Sequence, residues 1–216
     1  SRDSGAATVL NVGIVNSIPK LIAYNILHPT LELAGPVRVV CREGELEGLL
    51  GQLAVHRLDL VISDHRIPRG LSVRAYNHGL GESTIAFFAA PALARKYARN
   101  FPASLHGAPL LIPLEASALR RSLDDWFETI GVLPRVIGEF DDSALMKVFG
   151  EAGVGVFPAP TAMTSEVERM YHVRRVGTVE ELSEKYVAIS PERKLKHPAV
   201  VRIIEAARSS LLSYQS

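Results

Sequence analysis

Cysteine is almost missing from this 216-residue chain, in which Cys41 is the single one. That excludes an intrachain disulfide and a zinc site built on cysteines, and it fits a reducing compartment. Long apolar runs are missing too: no stretch approaches the roughly 20 residues that a membrane helix needs, so no membrane partner is expected. Charge of one sign is lacking, because 24 Lys and Arg stand against 23 Asp and Glu, a formal net charge of +1. The surface taken whole has no excess with which to hold a phosphate backbone, so this stretch by itself is not expected to grip DNA. Its opening, Ser1 to Ala7, has neither the basic start nor the apolar core of a secretory signal. It reads as a linker, in a chain expected in the cytoplasm.

Signatures of catalysis are scarce as well. There is no Gly-x-Ser-x-Gly elbow, no Gly-Lys-Ser/Thr phosphate loop and no His-Glu-x-x-His pair. The clusters Gly79-Leu80-Gly81 and Gly153-Val154-Gly155 lack the remaining spacing of a dinucleotide fingerprint, so they read as a turn and a tight helix-to-strand passage, and no cofactor is expected. Seven histidines are scattered, with no pair four apart on a helix as metal ligation favours. The expectation is that the chain is not an enzyme.

What is present is a repeating alternation of strand and helix, in a composition that is 47% hydrophobic. Residues 8–15 read as a strand, and apolar positions then switch to helical spacing from Ile18 to Ile26. A strand at 37–41, a helix marked by Leu46, Leu49, Leu50 and Leu53, and an apolar strand at 58–63 complete a βαβαβ unit. Strands are predicted at 71–78 and 84–90 around the glycine turn, followed by a short helix at 91–97. A second α/β set follows: strand from Leu110, amphipathic helix from Leu119 ending at Gly131, strand 136–140, helix 143–152 capped by Asp141 or Asp142, and strand 154–157. Strands at 171–176 and 185–190 and a helix opened by Pro198, with apolar positions out to Leu211, end the chain. The fold expected is α/β, two doubly wound lobes made of residues 8–87 with 190–213 and of residues 88–189. They are joined by two extended crossover strands, with a ligand cleft between them.

Three segments carry candidate chemistry, each with two readings. Asp64-His65-Arg66 follows an apolar strand, where doubly wound sheets place ligands, though a plain charged loop is commoner at a strand end; a histidine there would add pH sensitivity. Asn16-Ser17-Ile18 follows the first strand and offers free N–H groups and a hydroxyl to an anion or polar atom, or simply an N-cap. Glu43, Glu45 and Glu47 crowd a helix start, where they favour the macrodipole or supply oxygen ligands to a hard cation.

Several stretches together resemble the effector-binding domain of LysR-type transcriptional regulators. They are Leu10-Asn-Val-Gly-Ile-Val-Asn-Ser-Ile-Pro19, the run from Leu46 to Asp64, and Ala152-Gly-Val-Gly-Val-Phe-Pro158. The resemblance implies a type II periplasmic-binding-protein-like fold, a homodimer or tetramer, and an effector pocket at Asn16, Ser17, Ile18, Asp64, Glu115, Ser117, Phe157, Pro158 and Thr161. It also implies that DNA is bound only through an N-terminal winged helix-turn-helix, a motif not present in these residues. Ser17-Ile-Pro-Lys-Leu-Ile-Ala-Tyr24, Asp64-His-Arg-Ile-Pro68 and Asp124-Asp-Trp-Phe-Glu-Thr-Ile-Gly131 are similar to the branch of the family that activates sodium/proton antiporter genes in response to sodium ion. Carboxylates at positions 64 and 115 would repel an organic acid and favour a cation or neutral effector. A solute-binding protein of the same fold is the alternative, and an enzyme using Asp64 and His65 as an acid/base pair is a second.

Overall fold

The first strand, β1 (Thr8–Val15), alternates into a fully buried end, and it is the centre of a parallel arrangement with β2 (Val37–Gly44) on one side and β3 (Leu60–Ser63) on the other. These assignments come from a computed structural model, which describes residues 7–33 and 35–212, with side chains up to Ser209. Parallel strands need crossovers, supplied by α1 (Lys20–Leu27) and α2 (Leu46–Ala54). Leu46, Leu49, Leu50 and Leu53 form the buried stripe of α2, as their helical spacing requires. Gly13 sits where a Cβ would meet Leu58 and Leu49, which explains a glycine inside a central strand.

The chain divides into two compact units, residues 1–81 with 185–216 and residues 82–184. It passes from one to the other inside β4 (Tyr76–Ala89) and returns inside β8 (Arg174–Ser190). In the first unit β8 pairs antiparallel with β3, Val61 facing Ile189, and α7 (Pro198–Leu212) packs against α1.

The second unit repeats the logic. β5 (Pro109–Pro113) and β6 (Arg135–Phe140) pair in parallel across α4 (Ala118–Ile130), and α5 (Ser143–Glu151) leads to a single bridge between Val156 and Leu110. A helix α3 (Pro91–Ala98) follows β4, and β7 (Phe157–Pro160) pairs antiparallel with it. The core is aromatic: Phe87 stacks on Trp126 at 6.0 Å between centroids, and Trp126 meets Phe127 at 5.0 Å. Asp142 caps α5 through the Ala144 N–H, and Gly131 ends α4 with φ +68, a left-handed value that glycine adopts freely.

Several boundaries differ from the sequence expectation, each for a physical reason. The expected turn at Gly79-Leu80-Gly81 is absent because Leu80 is fully buried and β4 runs through it; only Gly81 takes a positive φ, +145. Residues 71–75 are not strand, and β4 starts at Tyr76. The two expected strands at 171–176 and 185–190 are one, β8, whose middle buries Val179 and Leu182 among Glu180, Glu181 and Ser183, a pattern too polar to read as strand. The strand expected at 154–157 lies at 157–160, because Pro158 and Pro160 are tolerated on β7, a strand at a sheet edge. The α1 helix starts at Lys20 and tightens after Leu27 into a 3-10 turn, His28–Glu32. Helix α6 (Thr164–Tyr171) was not expected at all: only Val167 is buried in it, so no apolar stripe announces it. The Leu211 side chain and residue 213 of the expected first lobe lie outside the described residues.

The passage Gly153-Val154-Gly155 works as its glycines require. Gly153 has φ +78, and a Cβ on Gly155 would stand 2.9 Å from the Pro109 carbonyl oxygen. Backbone on backbone cannot yield cheaply, so Gly155→Val is expected to destabilise by ~1–3 kcal/mol, the usual cost of overpacking. Urea unfolding followed by Trp126 fluorescence measures it, and an unchanged midpoint would contradict the close approach.

Candidate functional site

The C-terminal ends of β1 and β3 bring one ionisable group into the first unit's interior. Asp64 follows β3, and its side chain is only 2% exposed. His65 Nδ1 lies 2.6 Å from Asp64 Oδ1, and the Ser17 side chain is a second hydrogen-bond partner of that carboxylate. Burial pushes the carboxyl up, but hydrogen bonds from His65 and Ser17, the His65 charge and the Asp64 backbone outweigh it, so it sits below its ordinary value. The loop itself is pinned by Ser63, whose hydroxyl donates to the His65 carbonyl at 2.6 Å and accepts from the His65 N–H at 3.1 Å.

Of the two readings of Asn16-Ser17-Ile18, the N-cap does not hold. Pro19 is the residue before α1 and makes no side-chain cap, which leaves Ser17 to serve Asp64. Asn16 Nδ2 donates to Glu45 Oε1 at 3.2 Å, tying this loop to the start of α2. Ile18 is 2% exposed, so its side chain belongs to the core while its N–H closes a turn to the Val15 carbonyl at 2.9 Å. Of the three glutamates, Glu45 is held by Asn16, Glu43 pairs with Lys20 at 2.8 Å, and Glu47 lies in the first turn of α2. Among the described residues no group of three or more His, Cys, Asp or Glu is arranged to hold a metal ion.

The second unit has its own polar cluster, and sequence reading found only a third of it. Thr161, expected, meets Thr84 Oγ1 at 2.7 Å and Ser83 Oγ at 3.2 Å; Ser83 also accepts the Ala162 N–H at 3.0 Å. Ser83 and Thr84 were missed because Ser83 fell in the gap between the two expected strands and Thr84 at the very start of the second, when both lie inside β4. Ser117 caps α4 by accepting the Arg120 N–H at 3.0 Å. Arg120 in turn bonds the Pro113 carbonyl at 2.9 Å and pairs with Glu139 and Asp124, so it fixes the loop carrying exposed Glu115. Phe157 is fully buried, stacked on Phe88 at 5.9 Å, and Pro158 pairs with Phe87; both build the core around the cluster and do not offer side chains to it.

The LysR substrate binding domain family matches residues 3–212. The chain belongs to that family. Over 205 residues it is 35% identical to the transcriptional activator protein NhaR of Escherichia coli (strain K12), a match covering 95% of this chain and 67% of that one. Among solved structures, the cofactor-binding domain of the Cbl transcriptional regulator has a TM-score of 0.75 at 16% identity, covering 95% of this chain and 90% of that one. The BenM effector-binding domain with its effector benzoate has a TM-score of 0.71 at 14% identity, covering 98% and 96%. At such identities these likenesses show the fold, type II periplasmic-binding-protein-like. The chain is a LysR-type effector-binding domain, and family members are transcriptional regulators. No described helix is long and apolar enough to cross a membrane.

Asp64 gives this LysR domain a definite pH signature. A carboxyl whose folded value is lowered stabilises at pH above its unfolded value and loses that contribution as pH falls through the folded one. Wild type is therefore expected to exceed Asp64→Ala by ~1–3 kcal/mol near pH 5, a margin that shrinks once pH drops below about 4. Chemical denaturation across acid pH checks this, and a margin that grows as pH falls below about 4 would contradict it.

Proposed function

We propose that this chain is the sensing and dimerisation domain of a NhaR-like activator that answers to sodium ion or pH, acting in the cytoplasm and without enzymatic turnover. The observation that carries the reading is the 35% identity to NhaR along 95% of the chain. The effector is taken up by Asn16, Ser17 and Asp64 in the first unit and by Glu115, Ser117 and Thr161 in the second, with Ile18, Phe157 and Pro158 as their apolar frame. A buried carboxylate kept ionised supports a cation or a neutral effector over an organic acid such as the benzoate of BenM. DNA is contacted through a separate winged helix-turn-helix of the parent protein.

An effector shifts such a domain only by its differential affinity for two states, commonly ~1–3 kcal/mol of coupling. Titrating the domain with NaCl against matched KCl, with melting temperature and Trp126 fluorescence as readouts, is the test. A sodium-selective rise in melting temperature, reduced in Asp64→Asn, is expected; superimposable sodium and potassium curves would contradict direct sodium binding.

Dimerisation rests on exposed apolar positions. Leu145, Val148 and Phe149 are 50%, 52% and 40% exposed at i, i+3 and i+4 on α5, Tyr24 on α1 is 58% exposed, and β2 is an edge strand. By family likeness α1 and β2 of one copy meet α5 of another, antiparallel. Sedimentation should show a dimer that Val148→Glu turns into a monomer with its melting temperature nearly unchanged, whereas a monomeric wild type at high concentration would contradict the pairing.

A further inference from the structure

The first unit holds a cavity at the end of β3 opposite Asp64. Its volume is about 570 Å3, and it is lined by His56, Arg74, Tyr76, Arg193, Lys194 and Lys196, within the size range of small-molecule sites. The antiparallel register of β3 with β8 builds it: Val61 faces Ile189, so the loop after Ser190 lies beside the start of β3. Asp64, at the other end of a four-residue strand, is therefore roughly 13 Å away along the chain.

Both walls are fixed by polar contacts away from the cations. Asp59 accepts the Asn11 N–H at 2.8 Å and its own N–H bonds the Asn11 carbonyl at 2.8 Å, holding the loop from α2 into β3. Ser190 Oγ contacts His78 Nε2 at 2.9 Å and donates to the Glu192 carbonyl at 2.6 Å, holding the loop into α7. The His197 ring accepts the Ala199 N–H at 3.2 Å. At His56 the backbone has φ +57 just past α2, a position where glycine is usual, and an imidazole is brought to the cavity instead.

The charge is the informative part. Glu192 is the sole carboxylate among the lining residues, against two Arg and two Lys. None of those four makes an ion pair with a described residue. In a chain of net charge +1, the local excess is not a general property of the surface. Two guanidinium and two ammonium side chains lining one hollow match the oxygens of a small polyanion, and Tyr76 adds an aromatic ring to the lining.

We propose that this cavity is a second ligand site, for a small anion bearing two or more phosphate or carboxylate groups, separate from the effector residues around Asp64. The test uses inorganic diphosphate and citrate as probes, titrated calorimetrically into the chain at constant ionic strength, with a short random-sequence DNA duplex as a third arm. Saturable 1:1 binding of either small anion is expected, weakened on the order of tenfold per cation removed in Arg193→Gln and Lys196→Gln, and unchanged in Asp64→Asn. Thermal melts confirm that each variant is folded; both changes lie on exposed side chains. No saturable binding of diphosphate or citrate overturns the proposal, as does binding that survives the Arg193→Gln/Lys196→Gln pair. A duplex that binds where neither small anion does overturns it in favour of a nucleic-acid surface.

Discussion

A carboxylate lies in a protein interior only when its lost hydration is replaced, and the end of the first unit's sheet is organised by that requirement. Asp64 needs donors, and the two strands that finish beside it supply them: Ser17 comes from the loop after β1, and His65 from its own loop. Parallel pairing of β1 with β3 brings the two loops to one edge. Ser63 then locks the His65 backbone so that the ring stays on the carboxylate. The apolar strand β3 thus ends in a buried carboxylate whose hydrogen bonds offset its lost hydration.

The same economy recurs in the second unit with neutral groups. Three hydroxyls, from Ser83, Thr84 and Thr161, share hydrogen bonds where β4 and the turn after β7 meet, and Arg120 holds the loop of Glu115 by gripping the Pro113 carbonyl.

Much of this was legible in the residues, and what was not has physical causes. The βαβ units were visible because their helices carry clean apolar stripes, as in Leu46, Leu49, Leu50 and Leu53, and their central strands are mostly apolar. Long strands were misread wherever local chemistry points the other way: Gly79-Leu80-Gly81 looks like a turn until tertiary burial of Leu80 is known. Helix α6 was hidden because it buries so little. At the site, Asp64 and Thr161 were legible by position and family resemblance, but the partners Ser83 and Thr84 were not, since only the fold brings residues 77 or 78 positions apart into hydrogen-bonding range. Ile18, Phe157 and Pro158 entered by family resemblance as pocket residues, while their burial assigns the side chains to packing. The basic cavity was invisible because residues 56, 74 and 193–196 are unremarkable until β3 and β8 pair.

The account stands on Asp64 being ionised inside the protein, and its carboxyl carbon reports that directly. An NMR titration of carboxyl-labelled protein should give Asp64 a midpoint below the ordinary aspartate value of about 3.9, moving upward in His65→Gln. A midpoint at or above that value in wild type would mean that burial outweighs its partners, and a neutral Asp64 would leave the sensor without its charged anchor.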